Sequence, residues 1–165
     1  LRPSPAATPP RSATNIAPDL PDHSATAAKE PPDRYSRRMA TWEDVRRIAL
    51  SLPETTEESS RAMIQWRVKG KGFVWERPLR RADLAALGDS APDGPILAAY
   101  VADVGEKAAL IADNPEVYFT TPHFDGYAII LVRLDKIAID ELEELTVDAW
   151  LAKAPKRLAA EFRSR

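Results

Sequence analysis

Residues 61–81 form the part of the chain whose side-chain types most clearly suggest a binding function. The segment contains seven Lys and Arg residues against a single acid, Glu76, so its side-chain charge is about +6. Residues 82–165 have the opposite balance, with eight Lys and Arg residues against fifteen Asp and Glu residues. Although the whole chain has a formal net charge of only −2, its charge is split along the sequence. A concentration of positive charge attracts polyanions such as nucleic acids.

Two aromatic-rich strand patterns predict how this basic segment folds. Apolar residues alternate with polar residues over 64–69, and a second apolar run begins at residue 73. The sequence Gly70-Lys71-Gly72 between them predicts a hairpin with a glycine-containing loop of three residues. The sequence therefore indicates a β-hairpin whose outward positions are mostly basic.

Cations on this hairpin are the predicted contacts to DNA phosphates. Side chains two apart on a strand share a face, so we expect Arg67 and Lys69 to point together, with Lys71 at the tip. Each cation that meets a phosphate releases a condensed counterion, which favours binding. The predicted set is Arg61, Arg67, Lys69, Lys71 and Arg77, with Lys153, Lys156 and Arg157 as a second basic cluster. The alternative is that these charges only keep a half-exposed strand soluble.

The loop over residues 120–127 is a second candidate site because it contains His123 and, two residues later, Asp125. A histidine beside a carboxylate can bind metal or act as a base near neutral pH. Two ligands are fewer than an ordinary zinc site needs, and the chain has no cysteine to complete the set. We therefore interpret His123 as a structural residue of the loop and expect no metal and no cofactor.

A pocket between the sheet and the helices is the competing functional hypothesis. The chain has four tryptophans, which we interpret mostly as core residues, but a tryptophan can also line a ligand pocket. Trp66, His123, Asp125 and Trp150 are the predicted lining of such a pocket in a small-molecule-binding or sequestering module. No Ser/His/Asp arrangement, phosphate-binding glycine loop or zinc-finger spacing is present, so we do not expect an enzyme.

Composition sets the remaining expectations. Eight of the fifteen prolines lie in residues 1–38, which we expect to be a disordered leader that stands either as a basic arm or upstream of a true start at Met39. Residues 39–165 form the predicted domain, since 44% hydrophobic content suffices for a core. The absence of cysteine fits a cytoplasmic location, and no apolar run approaches the roughly 20 residues of a membrane span.

The patterns over residues 41–165 predict helices and strands that do not alternate regularly. Thr41 is a predicted N-cap, and Asp103 and Asp140, each followed by Glu three residues later, predict capping boxes. The predicted helices lie over 42–52, 104–113 and 140–154, with a last turn or two over 158–162, and the strands over 64–69, 73–75, 96–101, 117–119 and 128–134. This order favours an α+β fold, an antiparallel sheet with helices packed on one face.

Three segments together resemble the MmcQ/YjbR family. They are Tyr-Phe-Thr-Thr-Pro-His-Phe-Asp-Gly-Tyr over 118–127, Ile-Leu-Val-Arg-Leu over 130–134, and Asp-Ala-Trp-Leu-Ala-Lys-Ala-Pro-Lys-Arg over 148–157. The first predicted helix and the hairpin over 66–73 are also similar to those of the family. The resemblance implies a frataxin-like (CyaY-like) fold and DNA binding through a double-wing arrangement, and it supplies no catalytic residue to carry over. We therefore expect a non-enzymatic DNA-binding protein, with its oligomeric state left open.

Overall fold

Five α-helices and six β-strands make up residues 38–165, the part of the chain that the computed structural model describes. The predicted leader lies outside the described residues, apart from Arg38. The elements are α1 (Trp42–Ser51), β1 (Thr55–Ser60), β2 (Met63–Val68), β3 (Lys71–Glu76), α2 (Arg81–Leu87), β4 (Ile96–Tyr100), α3 (Val104–Asp113), β5 (Tyr118–Phe119), β6 (Ile129–Arg133), α4 (Ile139–Lys153) and α5 (Lys156–Arg163). None of these helices is long and apolar enough to cross a lipid bilayer.

The six strands form one antiparallel sheet in the order β1-β2-β3-β4-β6-β5. The predicted α+β class with an antiparallel sheet is therefore confirmed. Strand β1 is not among the predicted strands because its sequence, Thr-Thr-Glu-Glu-Ser-Ser, has no apolar alternation. It is an edge strand with five exposed residues, and polar, charged side chains are typical of sheet edges that avoid pairing with other chains.

The main core lies between one face of the sheet and helices α1, α3, α4 and α5. Trp66 and Val74 from the sheet pack there with Val45 of α1 and Trp150 of α4, and all four are almost completely buried. Burial at this scale is the principal source of stability of the domain. The Thr41 N-cap is confirmed, since its hydroxyl accepts from the backbone N–H of Asp44 and positions α1 over this core.

The prediction that the helices pack on a single face is wrong for α2. Leu87 at its end packs on the opposite face of the sheet, in a second apolar cluster with Phe124, Ile96 and Leu131. The cause is that β4 and β6 are apolar on both faces, so their second face also needs cover. Helix α2 and the short 3₁₀ turn Pro122–Phe124 supply that cover.

The hairpin between β2 and β3 has a two-residue turn, Lys69-Gly70, and not the predicted loop of three. Both turn residues have positive φ, +48° at Lys69 and +80° at Gly70, as the tight turns that match strand twist require. Lys71 is therefore the first residue of β3, paired with Val68, and Lys69 occupies the tip. The predicted places of Lys69 and Lys71 are exchanged.

Helix α4 begins one residue earlier than predicted, with Ala138 as its N-cap. Met39 forms an isolated bridge with Ala138, and the Ala40 N–H donates to the Ile137 carbonyl at 3.0 Å. These long-range bonds set the start of the helix, so the predicted capping box at Asp140 is wrong. Asp140 lies in the first turn instead, where negative charge suits the helix dipole.

Candidate nucleic-acid interface

The face of the sheet opposite α1 and α4 is covered over β4, β6 and β5 but not over β1–β3, within the described residues. Register places Glu58, Gln65, Trp75 and Ala98 side by side across four strands on this face. The second apolar cluster stops at Trp75 and Tyr100. We call the uncovered region the open half-face; it consists of Glu58, Met63, Gln65, Arg67, Gly72, Trp75 and Tyr100.

A groove of about 480 Å³ crosses the open half-face. It runs from Arg61, in the turn between β1 and β2, to Gly72 and Tyr100. The rings of Trp75 and Tyr100 form part of its wall, with centroids 5.4 Å apart and planes inclined by 55°. A Cβ at residue 72 would overlap the Gln65 amide that lies across it, so glycine there allows the amide to keep this position. The groove therefore presents two aromatic rings and one amide on the uncovered face.

Arg67 points to the open half-face, but it is held by its neighbours. Its Nη2 donates to Gln65 Oε1 at 3.1 Å, and its Nε lies 3.1 Å from Glu58 Oε2 across the strand pair. Its side chain is 33% exposed, so it reaches the surface without being free. The predicted free cation is thus partly neutralised by a carboxylate of the unpredicted strand β1.

Lys69 does not share a face with Arg67, because its left-handed turn conformation ends the strand alternation. Its ammonium lies 3.1 Å from Glu54 Oε2, with both side chains about half exposed. Exposed pairs of this kind contribute about 0–1 kcal/mol. A phosphate can therefore compete for Lys69 and Arg67, at the expense of breaking these pairs.

Arg77 is buried, with 5% of its side chain exposed, and cannot meet a phosphate. Its Nη2 lies 3.0 Å from Asp83 Oδ2, its Nη1 donates to the Pro78 carbonyl, and its guanidinium stands 5.2 Å from the Phe124 ring centroid. Burial would raise the pKa of Asp83, but the backbone N–H of Arg80 and the charge of Arg77 outweigh burial and lower it. Predicting Arg77 as a DNA contact is wrong, since this ion pair joins the end of β3 to α2.

Of the eight predicted cations, four make no ion pair within residues 38–165: Arg61, Lys71, Lys153 and Lys156. Arg61 and Lys71 are exposed at opposite ends of β2, one in each flanking turn region. Lys153, at the C-terminal end of α4, places its Nζ 3.6 Å from the Tyr100 ring centroid. The fold thus brings one member of the second basic cluster to Tyr100, at the border of the open half-face.

The other two members of that cluster lie on α5. Arg157 pairs with Glu161 one turn later at 2.9 Å, and its side chain is 92% exposed. Lys156 is exposed at the first position of the helix. Both are accessible, but only Lys153 contacts a residue of the open half-face.

The predicted pocket between sheet and helices does not form around the four residues named for it. Trp66 and Trp150 are 1% and 0% exposed and belong to the main core, where their indole N–H groups donate to Glu57 and to the Pro53 carbonyl. His123 and Asp125 are exposed on the loop whose Phe124 packs on the opposite face of the sheet. The sheet therefore separates the two pairs.

Lys107 holds the 120–127 loop in place, which is the structural role that the sequence analysis gave to His123. Its Nζ donates to the carbonyls of Phe124 at 2.7 Å and Tyr127 at 3.1 Å, although the residue is only 6% exposed. Burial lowers the pKa of Lys107, and the nearby charge of Asp125 opposes this effect. A signal existed in the sequence, because Lys107 lies three and four residues before Leu110 and Ile111, on the inner side of α3.

An acidic groove of about 450 Å³ lies between α3 and α4. Tyr118 donates to Glu141 Oε1 there at 2.8 Å, and burial together with Glu106 and Glu144 raises the pKa of Asp148. Nowhere in residues 38–165 are three or more His, Cys, Asp or Glu side chains grouped so as to hold a metal ion. This side of the domain would repel a polyanion, in contrast to the open half-face.

Comparison with known proteins identifies the family. The YjbR family model matches residues 50–152. Uncharacterised proteins of Mycobacterium tuberculosis and Mycobacterium bovis are 53% identical over 127 residues, which cover 75% of this chain and 96% of theirs. The crystal structure of protein DR2400 of Deinococcus radiodurans, which has a DUF419 domain, superposes with a TM-score of 0.55 at 18% identity, covering 76% of this chain and 90% of that one. The chain therefore belongs to the YjbR family, as the resemblance of its motifs indicated.

Proposed function

We propose that this protein is a non-enzymatic DNA-binding protein whose contacts surround the open half-face. One observation carries the proposal: Arg61 and Lys153 lie at a sheet face that no described helix covers, Lys71 is exposed beside the hairpin turn, and none of the three forms an ion pair with a described carboxylate. Unpaired surface cations can release counterions from a nucleic acid without first breaking an ion pair. Arg67 and Lys69 would contact the nucleic acid only if a phosphate replaced the carboxylates of Glu58 and Glu54 with which they pair.

The charge distribution supports an oriented and salt-sensitive complex. The acidic groove between α3 and α4 repels nucleic acid from that side, while the basic hairpin region attracts it. A formal net charge of −2 predicts that affinity will be modest at physiological ionic strength, and each phosphate contact makes the affinity fall as salt rises. The cytoplasmic location expected from composition is consistent with such a role and stays a prediction.

A CyaY-like, double-wing type of sheet is the finer fold assignment that belongs with this proposal. It is supported by the continuous antiparallel run of β1, β2 and β3, whose second face no described helix covers. The two hairpin turns are the candidate wings. They carry Arg61 at one end and Lys69 with Lys71 at the other.

The test is fluorescence anisotropy of labelled duplex DNA as a function of salt, with the full chain. We expect Arg61→Glu combined with Lys71→Glu to abolish binding at moderate salt. Partial variants with neutral replacements should reduce the salt slope by about 0.9 for each lost phosphate contact.

The matched control is Arg81→Glu combined with Lys136→Glu, two exposed cations that also lack an ion-pair partner within the described part of the chain. It makes the same change in net charge away from the open half-face and should keep most of the binding. Equal losses in both variants would reduce the proposal to a general charge effect. Absence of any salt-dependent binding by the wild-type chain would end it.

Small-molecule binding is the second candidate, and a groove on the open half-face supports it better than the predicted position between sheet and helices does. The groove of about 480 Å³ with its two aromatic rings lies on the open half-face and not between sheet and helices. Its size falls within the range of ligand pockets. Binding of this kind would quench the fluorescence of Trp75 and would be indifferent to salt, which distinguishes it from a phosphate-driven complex.

A further inference from the structure

We propose that the open half-face takes single-stranded nucleic acid, with a base stacked on Trp75 and a backbone phosphate held by Lys153. This inference rests on the proposed nucleic-acid function and specifies the form of the ligand and the contact that selects it. The two residues come from strand β3 and from the end of helix α4, 78 positions apart in the sequence.

The aromatic pair is the first support. Trp75 and Tyr100 lie on neighbouring strands of one sheet face, 5.4 Å apart, at the border where the apolar cluster of that face ends. Both rings are half-buried and line the groove, so part of each remains open to a ligand. Aromatic rings on an uncovered sheet surface are a general way in which proteins stack unpaired bases.

The position of Lys153 is the second support. Its ammonium lies 3.6 Å from the Tyr100 centroid, and this distance together with the 5.4 Å between the rings places it no more than about 9 Å from the Trp75 ring. That separation suits a base and the phosphate of its own nucleotide. The cation–π contact holds the ammonium there without a carboxylate, so its charge stays available.

Charge complementarity extends along the groove. Arg61 lines its far end, and the one carboxylate that lines it, Glu76, accepts a hydrogen bond from the Ile64 N–H at 3.2 Å. The cations therefore stand at the two ends, where successive phosphates of an extended strand would pass. Between them the Gln65 amide, held over Gly72, offers a donor and an acceptor to a base edge.

A single strand fits this surface better than a duplex does. Bases in a duplex are stacked on each other, so their faces cannot reach Trp75 unless the helix is opened. A single strand exposes the bases and has a flexible backbone that can follow a groove on a sheet. The aromatic contact therefore favours unpaired nucleic acid, whereas the cations alone would accept either form.

The experiment compares affinities of the full wild-type chain for single strands of about 12 nucleotides and for the corresponding duplex, by fluorescence anisotropy. DNA and RNA single strands form separate arms, which tell whether the 2′-hydroxyl matters. A strand with abasic sites in place of its central bases keeps every phosphate but removes the stacking partners. Loss of the stacked base, or of the ring in Trp75→Leu, should weaken single-strand binding about 5- to 150-fold and leave the weaker duplex binding nearly unchanged.

Two variants control for structural damage. Trp75→Phe keeps an aromatic face and should retain more affinity than Trp75→Leu, which keeps apolar area only. Tyr127→Ala removes a ring that is 62% exposed elsewhere and should change nothing. The abasic strand needs no mutation, so the inference remains testable even if Trp75→Leu does not fold.

The outcomes separate this inference from the proposed function. Preference for the single strand together with a penalty for abasic sites supports it. Duplex binding as tight as single-strand binding, or an abasic strand bound as tightly as the intact one, overturns it while leaving a phosphate-binding function in place. No binding of any nucleic acid overturns both.

Discussion

Replacing Asp83 by asparagine is the sharpest test of the conclusion that Arg77 is structural. The side chains of the pair are 5% and 4% exposed, so the substitution leaves the Arg77 charge buried without its partner. Asparagine keeps an oxygen that can still accept from the Arg80 N–H, a bond of 2.7 Å in the native protein. The change therefore removes the charge interaction and little else.

We expect Asp83→Asn to lower the free energy of unfolding by about 3–5 kcal/mol, the usual effect of breaking a buried pair. The double variant Arg77→Met with Asp83→Asn should recover most of this loss, because no uncompensated charge remains. Urea unfolding followed by tryptophan fluorescence measures both variants, and together with the single variant Arg77→Met and the wild-type chain they form a double-mutant cycle.

Glu161→Gln is the matched control, since it breaks the exposed pair with Arg157 and should cost no more than about 1 kcal/mol. If Asp83→Asn costs as little as Glu161→Gln, the buried pair has no structural role and the reasoning about Arg77 is wrong. A double variant that is less stable than Asp83→Asn would also contradict the reasoning.

Three further predictions concern buried ionisable groups, each read from unfolding free energies across pH. Lys107→Met should destabilise the protein by about 1–3 kcal/mol, because two loop carbonyls lose their donor, and hydrogen exchange should rise in residues 120–127. The Tyr118 hydroxyl donates to Glu141, and burial raises the pKa of Tyr118 above the ordinary 10.0. Its contribution to the free energy of unfolding is therefore present below pH 10 and is lost as the pH rises above 10. Tyr118→Phe should make this alkaline loss of stability smaller. Hydrogen bonds from Arg38 lower the pKa of Asp44, although burial opposes them. Arg38→Ala should therefore reduce the free energy of unfolding at neutral pH, and this reduction should shrink as the pH falls below 3.8.

Regular periodicity and caps explain why much of the fold could be predicted from the chain. Thr41 caps α1 as expected, and the apolar run over 128–134 forms β6 at 129–133. Such signals depend on neighbours a few residues apart, which any sequence displays. The polar strand β1 carries no such signal, because its pairing comes from β2 and not from its own composition.

Some features of the candidate site could likewise be predicted from the sequence, and others depend on the tertiary structure. The sequence by itself determined the family and the concentration of cations over 61–81, because both are properties of residue order. Tertiary structure decided which cations are free, since ion pairs join residues that are distant along the chain or on adjacent strands. Register placed Glu58 beside Arg67, and the packing of α2 buried Arg77 against Asp83. Only the folded sheet could bring Lys153 to the ring of Tyr100, because a helix end and a strand end that are 53 positions apart in the sequence meet there.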